Sequence, residues 1–183
     1  MAKTRLSGAT YVARGYGQVE PNHLSAQRTG QIYAQLPVNK EIQVLEQGQF
    51  VKYDYENNEV NFSGVGEWML VFNEIKLYDE RDTDEDFALI KDNYIGSVLS
   101  DYPTYSNDDP NVMVPRVFKT NVGDIYTTNC VKETELAIGD KLTPGEDGYL
   151  AKAGADSAEM VWNVVKVYIM PDNQPAVKLQ RIK

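Results

Sequence analysis

From Glu41 to the end of the chain, apolar residues recur every second position, and no stretch sustains the 3.6-residue period of a helix. Side chains alternate faces along a strand, so such a chain is built from half-buried strands and the turns between them. Phe50-Val51-Lys52-Tyr53-Asp54-Tyr55 and Val60-Asn61-Phe62 flank the tetrad Glu56-Asn57-Asn58-Glu59. Two β-rich runs around a polar tetrad with asparagines, which tolerate positive φ, predict a hairpin. Trp68 to Tyr78 is the strongest strand candidate. Met69, Val71, Ile75 and Leu77 fall on one face and Trp68, Leu70 and Phe72 on the other, so one end is expected to be buried on both faces. Short strands are expected over Val112 to Thr120, Ile125 to Val131 and Leu136 to Leu142, separated by Gly123-Asp124 and Gly139-Asp140. Met160 to Met170, a turn at Pro171 to Pro175, and Ala176 to Ile182 read as a closing hairpin. The one place for a helical turn or two is Thr83 to Asp92, with Thr83 as cap and acids in the first turn. Ser97 to Asn111, rich in proline and turn residues, reads as a long loop. The expected fold is all-β: a short-stranded barrel or sandwich, divisible into two small β subdomains near residues 79–111.

A weak internal repeat runs through this pattern. Leu45 to Val51 matches Ala137 to Thr143 in its apolar-Gly-polar-apolar turn. Each copy is followed by a second polar turn, Glu56 to Glu59 or Pro144 to Gly148, and then by a long strand containing a tryptophan. Both halves read strand, turn, strand, loop, long strand, which either duplication or convergent hairpin chemistry would produce.

Charge divides the chain differently. Of 18 basic and 27 acidic residues, Lys3, Arg5, Arg14, Arg28 and Glu20 lie in residues 1–38, which leaves 14 basic and 26 acidic side chains in residues 39–183. A lead-in of formal charge +3 therefore precedes a body of −12. The lead-in is rich in glycine and small polar residues, which raise the entropy of ordering without supplying core. It is expected to be an extended arm, able to reach about 100 Å at ~3.3 Å per residue, with Lys3, Arg5, Tyr11, Arg14, Tyr16 and Arg28 as its partner contacts. Its charge is too slight for a nucleic-acid footprint. No run approaches the ~20 apolar residues that span a bilayer, and the first 20 residues contain no signal-peptide core, so no membrane partner is expected.

Catalytic and metal chemistry finds little purchase. The single Cys130 forms no intramolecular disulfide or thiolate cluster, and the single His23 forms no histidine-rich metal site. Asp82-Thr83-Asp84-Glu85-Asp86 alternates carboxylates as a calcium loop does. However, the sixth and twelfth positions of that loop are Phe87 and Asn93 rather than glycine and glutamate. No metal or other cofactor is expected, although a looser calcium site on Asp82, Asp84 and Asp86 stays open. Gly15-Tyr16-Gly17 and Gly64-Val65-Gly66 lack the third glycine and the helix that a phosphate cradle needs. The 12 tyrosines with Trp68 and Trp162 suit either core packing or a sugar platform, the latter on a tryptophan or on Tyr102 and Tyr105.

The hairpin Gly48 to Phe62, the segment Pro115 to Asn129, the turn Gly139-Asp140-Lys141-Leu142-Thr143-Pro144-Gly145 and the closing hairpin ending Lys178-Leu179-Gln180-Arg181-Ile182 together resemble the capsid-decoration and head-stabilising proteins of tailed bacteriophages. The resemblance covers Glu41 to the C-terminus and lies in a style of short β units with Gly-Asp turns. It implies a non-enzymatic virion protein on the outer capsid surface, made in the host cytoplasm. Its partners would be the major capsid protein and further copies of itself, in a trimer, with an arm that adds a strand to the shell subunit. The alternatives are a carbohydrate- or ligand-binding β module and, third, a trimeric β-fold nucleotide hydrolase.

Overall fold

The computed structural model describes residues 17–32, 34–72, 88–90, 114–152, 154–170 and 174–183. The fold is all-β and sandwich-like, with two open antiparallel sheets. The larger runs β1 (Val19–His23), β8 (Ile125–Thr128), β12 (Pro175–Arg181), β11 (Trp162–Ile169), β9 (Lys141–Pro144), β10 (Leu150–Ala151). The smaller runs β4 (Glu59–Asn61), β3 (Phe50–Asp54), β5 (Met69–Val71), β7 (Val117–Lys119). A separate pair joins β2 (Val44–Glu46) to β6 (Ala88–Ile90).

The alternation of β5 has the consequence its sequence predicts. Met69 and Val71 enter one apolar cluster with Val51, Tyr53, Val60 and Val117. Leu70, flanked by the partly buried Trp68 and Phe72, enters another with Phe50 and Phe118. The smaller sheet is thus buried on both faces. Its Phe50, Leu70 and Phe118 lie against Tyr126, Leu142, Trp162 and Leu179 of the larger sheet, so both β units share one main core. The Trp162 ring centroid lies 5.8 Å from that of Phe50 and 4.9 Å from that of Tyr126. Each of these large side chains contributes roughly 1.5–3 kcal/mol by leaving water.

The internal repeat is explicit in the hydrogen bonds. Gly48 donates to Val71 O (3.0 Å), Val71 to Gln49 O (2.9 Å) and Gln49 to Glu46 O (3.3 Å). Gly139 donates to Val164 O (2.8 Å), Val164 to Asp140 O (2.8 Å) and Asp140 to Ala137 O (3.1 Å). Even the turn side chains correspond, since the amide of Glu46 donates to Gln49 Oε1 and that of Ala137 to Asp140 Oδ2. Parallel bridges join Val38 to Val60 and Val131 to Leu150. Strand registers carry the match onward: Val51↔Met69 and Val71↔Val117 in one unit, Leu142↔Trp162 and Val164↔Leu179 in the other. The units stack rather than face each other, the outer side of the first covering the inner side of the second. Phe50, Leu70 and Phe118 do the covering, whereas their register counterparts Lys141, Asn163 and Gln180 are polar and meet solvent. The apolar outer side suits the first unit to stacking, and the polar outer side leaves the second facing solvent.

Several expectations are corrected. Residues 19–29, read as part of an extended lead-in, instead form β1 and the short helix α1 (Ser25–Thr29) within the body. The helix expected near Thr83 to Asp92 lies outside the described residues except at 88–90, which are strand. The strand expected from Leu136 begins only at Lys141, because 137–140 form the turn just described. The hairpin around Asn57-Asn58 is present, with Asn58 at φ 54°.

Two turn carboxylates are held below their ordinary titration range. The Asn57 side chain and amide, with Asn61 and the Glu56 amide, donate to Asp54. The Ala137 amide donates to Asp140, which also pairs with Lys152 Nζ at 2.7 Å. A folded-state pKa below the unfolded value near 4 means stabilisation that is complete above about pH 4 and fades as pH falls through the lower folded value. Asp140→Asn should therefore lower the thermal midpoint at pH 6, with the gap to the parent protein narrowing towards pH 3. A gap that stays constant over that range would refute the assignment.

Candidate interaction surface

The described part of the lead-in is strapped along the outer edge of the larger sheet. β1 pairs with β8, from Val19↔Thr128 to His23↔Ile125. Polar side chains carry much of the attachment. Thr128 Oγ1 donates to Gln18 O at 2.6 Å, the Gln18 amide donates to Asn129 Oδ1 at 2.7 Å, and Thr127 Oγ1 donates to Asn22 Oδ1 at 2.9 Å. The hydroxyl of Tyr168 donates to Glu20, reaching across β12 and β8 to do so. The buried carboxylate of Asp124 accepts from the Ser25 amide (2.9 Å), the Ser25 hydroxyl (3.0 Å) and the Asn121 amide (2.8 Å). Leu24 and Ala26 then enter the main core.

Of the arm's expected contacts, Arg28 is exposed in the last turn of α1. Lys3, Arg5, Tyr11, Arg14 and Tyr16 lie outside the described residues. With Glu20 and Arg28 both in the strapped part, the formal +3 of residues 1–38 resides in residues 1–16.

Groups that carry chemistry elsewhere have structural surroundings here. Cys130 is buried in the strap region, its amide donating to Thr128 Oγ1 at 3.0 Å, while His23 is exposed on the opposite end of β1. The two are not brought together. Trp162 is fully buried and unavailable as a sugar platform. Trp68 is half-buried with Lys52 Nζ 4.7 Å from its ring centroid. Tyr53 and Tyr55 do share a strand face, ring centroids 5.6 Å apart, with Tyr53 buried and Tyr55 exposed. Tyr102, Tyr105 and the acidic stretch 79–86 lie outside the described residues. Among the described residues, no three metal-ligating side chains converge and no helix is long and apolar enough to cross a membrane.

What the surface does present is backbone. β1 ends the larger sheet with one side unpaired among the described residues. β11 is covered by β9 only as far as Val164 and, among the described residues, continues to Ile169 with β12 alone beside it. The alternation in Met160 to Met170 predicts the strand but not this free stretch, since paired and unpaired edges read alike in sequence. The chain matches no protein-family model, no curated protein and no solved structure.

Proposed function

We propose that the protein is a non-enzymatic component of a virion, docking on the outer surface of a phage capsid and stabilising it. The observation that favours this reading is the placement of the basic segment. Residues 1–16 carry Lys3, Arg5 and Arg14 and no acid, and they join the body where β1 forms the open edge of the larger sheet. Basic chain leading into a sheet edge that is unpaired among the described residues suits a surface that recognises a neighbour by backbone pairing and charge. In this reading the shell contacts are Lys3, Arg5, Tyr11, Arg14 and Tyr16, whereas Arg28, in α1, belongs to the body.

The test is co-sedimentation with shells assembled from the phage's major capsid protein. The full chain should pellet with them, and the Lys3→Glu/Arg5→Glu/Arg14→Glu variant should bind at least about tenfold more weakly at low salt, with the difference shrinking as salt screens the charges. A full chain that stays in the supernatant refutes the proposal.

A further inference from the structure

The free stretch of β11 has a specific donor and acceptor pattern. Arg181 turns its backbone towards the β8 side of β12, its amide donating to Asp124 O and its carbonyl accepting from Gly123. Alternation puts Leu179 and Val177 on that side as well, and Gln180, Lys178 and Ala176 towards β11. Lys166 and Tyr168 oppose Lys178 and Ala176, so they spend their backbone groups on β12; Met170 likewise donates to Gln174 O. The register shift between Val164 and Lys166 is what sets this parity. Val167 and Ile169 are left directing amide and carbonyl outward, and their side chains are 46% and 65% exposed. They oppose Val177 and Pro175, so they continue the core face of the sheet past the point where the smaller sheet covers it. Exposed edges are usually blunted by proline, bulges or several charges. Residues 166–169 contain only Lys166, whose Nζ lies 5.7 Å from the Tyr168 ring centroid.

We propose that this edge pairs with the same edge of a second copy of the chain, antiparallel about a twofold axis at Tyr168. In that register Val167 meets the second copy's Ile169 and Ile169 meets its Val167, which satisfies the outward groups with four backbone hydrogen bonds and sets apolar against apolar. The two Tyr168 backbone positions oppose each other as the close, non-hydrogen-bonded pair, each ring leaning away over its own β12 towards Glu20. Each Lys166 opposes Met170, leaving the two Lys166 backbone positions roughly 13 Å apart along the strands. Centring the axis on Lys166 would set the lysines face to face, and centring it on Val167 would match only one outward residue with itself. The strand from Val164 to Met170 also carries no acid, in a chain of net charge −9, so the repulsion that separates copies elsewhere is absent here. The edge is self-complementary, and its symmetry yields a dimer in place of the trimer that the phage resemblance implies.

Because a short paired edge buries little area, the expected association is weak, with a Kd on the order of 10–100 µM. Sedimentation equilibrium of the full chain up to about 500 µM should show monomer and dimer. Ile169→Pro removes an outward amide while leaving the bonds of Tyr168 and Met170 to the β12 side intact, and it should abolish the dimer with the thermal midpoint little changed. Tyr168→Cys should give a disulfide-linked dimer under mild oxidation, since it places one thiol opposite its mate; the native Cys130 is buried. A chain monomeric throughout, a dimer that survives Ile169→Pro, or a Tyr168→Cys variant that does not cross-link would overturn the proposal. So would a monomer whose shell co-sedimentation is lost on Ile169→Pro, which would assign the edge to a capsid strand.

Discussion

Removal of residues 1–32 should lower the unfolding free energy by about 5 kcal/mol or more relative to removal of residues 1–16, enough to abolish a cooperative thermal transition in a domain of ordinary stability. The shorter cut stops before β1. The longer one strips β1 from β8, uncovers the core beneath Leu24 and Ala26, and takes from Asp124 the two hydrogen bonds that Ser25 donates. Losing the Leu24 side chain alone should cost about 2–4 kcal/mol, as large-to-small core changes do. Losing the hydrogen bonds from Ser25 to the Asp124 carboxylate adds roughly 1.5–3 kcal/mol. Thermal denaturation of the two truncated chains, with Leu24→Ala in the full chain as a finer probe, checks this. Equal midpoints for the two truncations would mean that the strap is peripheral.

The strap was hidden in the sequence for a physical reason. Val19-Glu20-Pro21-Asn22-His23 has no apolar alternation, because four of its five residues are exposed and β8 holds it by backbone and by Thr and Asn side chains. Proline at 21 argues against a central strand but is tolerated in an edge strand. α1 buries only Ala26, too little to produce a helical period. By contrast β3, β5, β11 and β12 were legible because each has one or both faces in a core, and burial is what writes alternation into a strand. The same logic explains the false start at Leu136. Ile138 supplies an apolar beat but is 72% exposed at the tip of a turn. The candidate surface was the least legible feature, since an open edge depends on where the neighbouring strand stops. Of the expected arm contacts, only Arg28 could be placed, and it belongs to the body.

The two units of the repeat make a paired prediction, because equivalent turns sit in different surroundings. Gly48 and Gly139 occupy the same position in the same hydrogen-bonded turn, at φ 88° and 95°. Alanine at either pays for the left-handed conformation, about 1–2 kcal/mol. At Gly139 that is the whole cost, because nothing lies within 4 Å of where a Cβ would stand. At Gly48 the new Cβ would lie 2.7 Å from Thr128 Oγ1 and 2.8 Å from Cys130 Cβ. Thr128 cannot yield cheaply, since its hydroxyl donates to Gln18 O and accepts from the Cys130 amide. Overpacking of this kind adds roughly 1–3 kcal/mol, so Gly48→Ala should cost about 3–5 kcal/mol against about 1–2 for Gly139→Ala in urea denaturation. Equal losses would show that the strap does not press on the first unit's turn. The expected inequality would show what stacking does to a repeated motif: the turn packed against the neighbouring unit loses the freedom to vary that its exposed counterpart keeps.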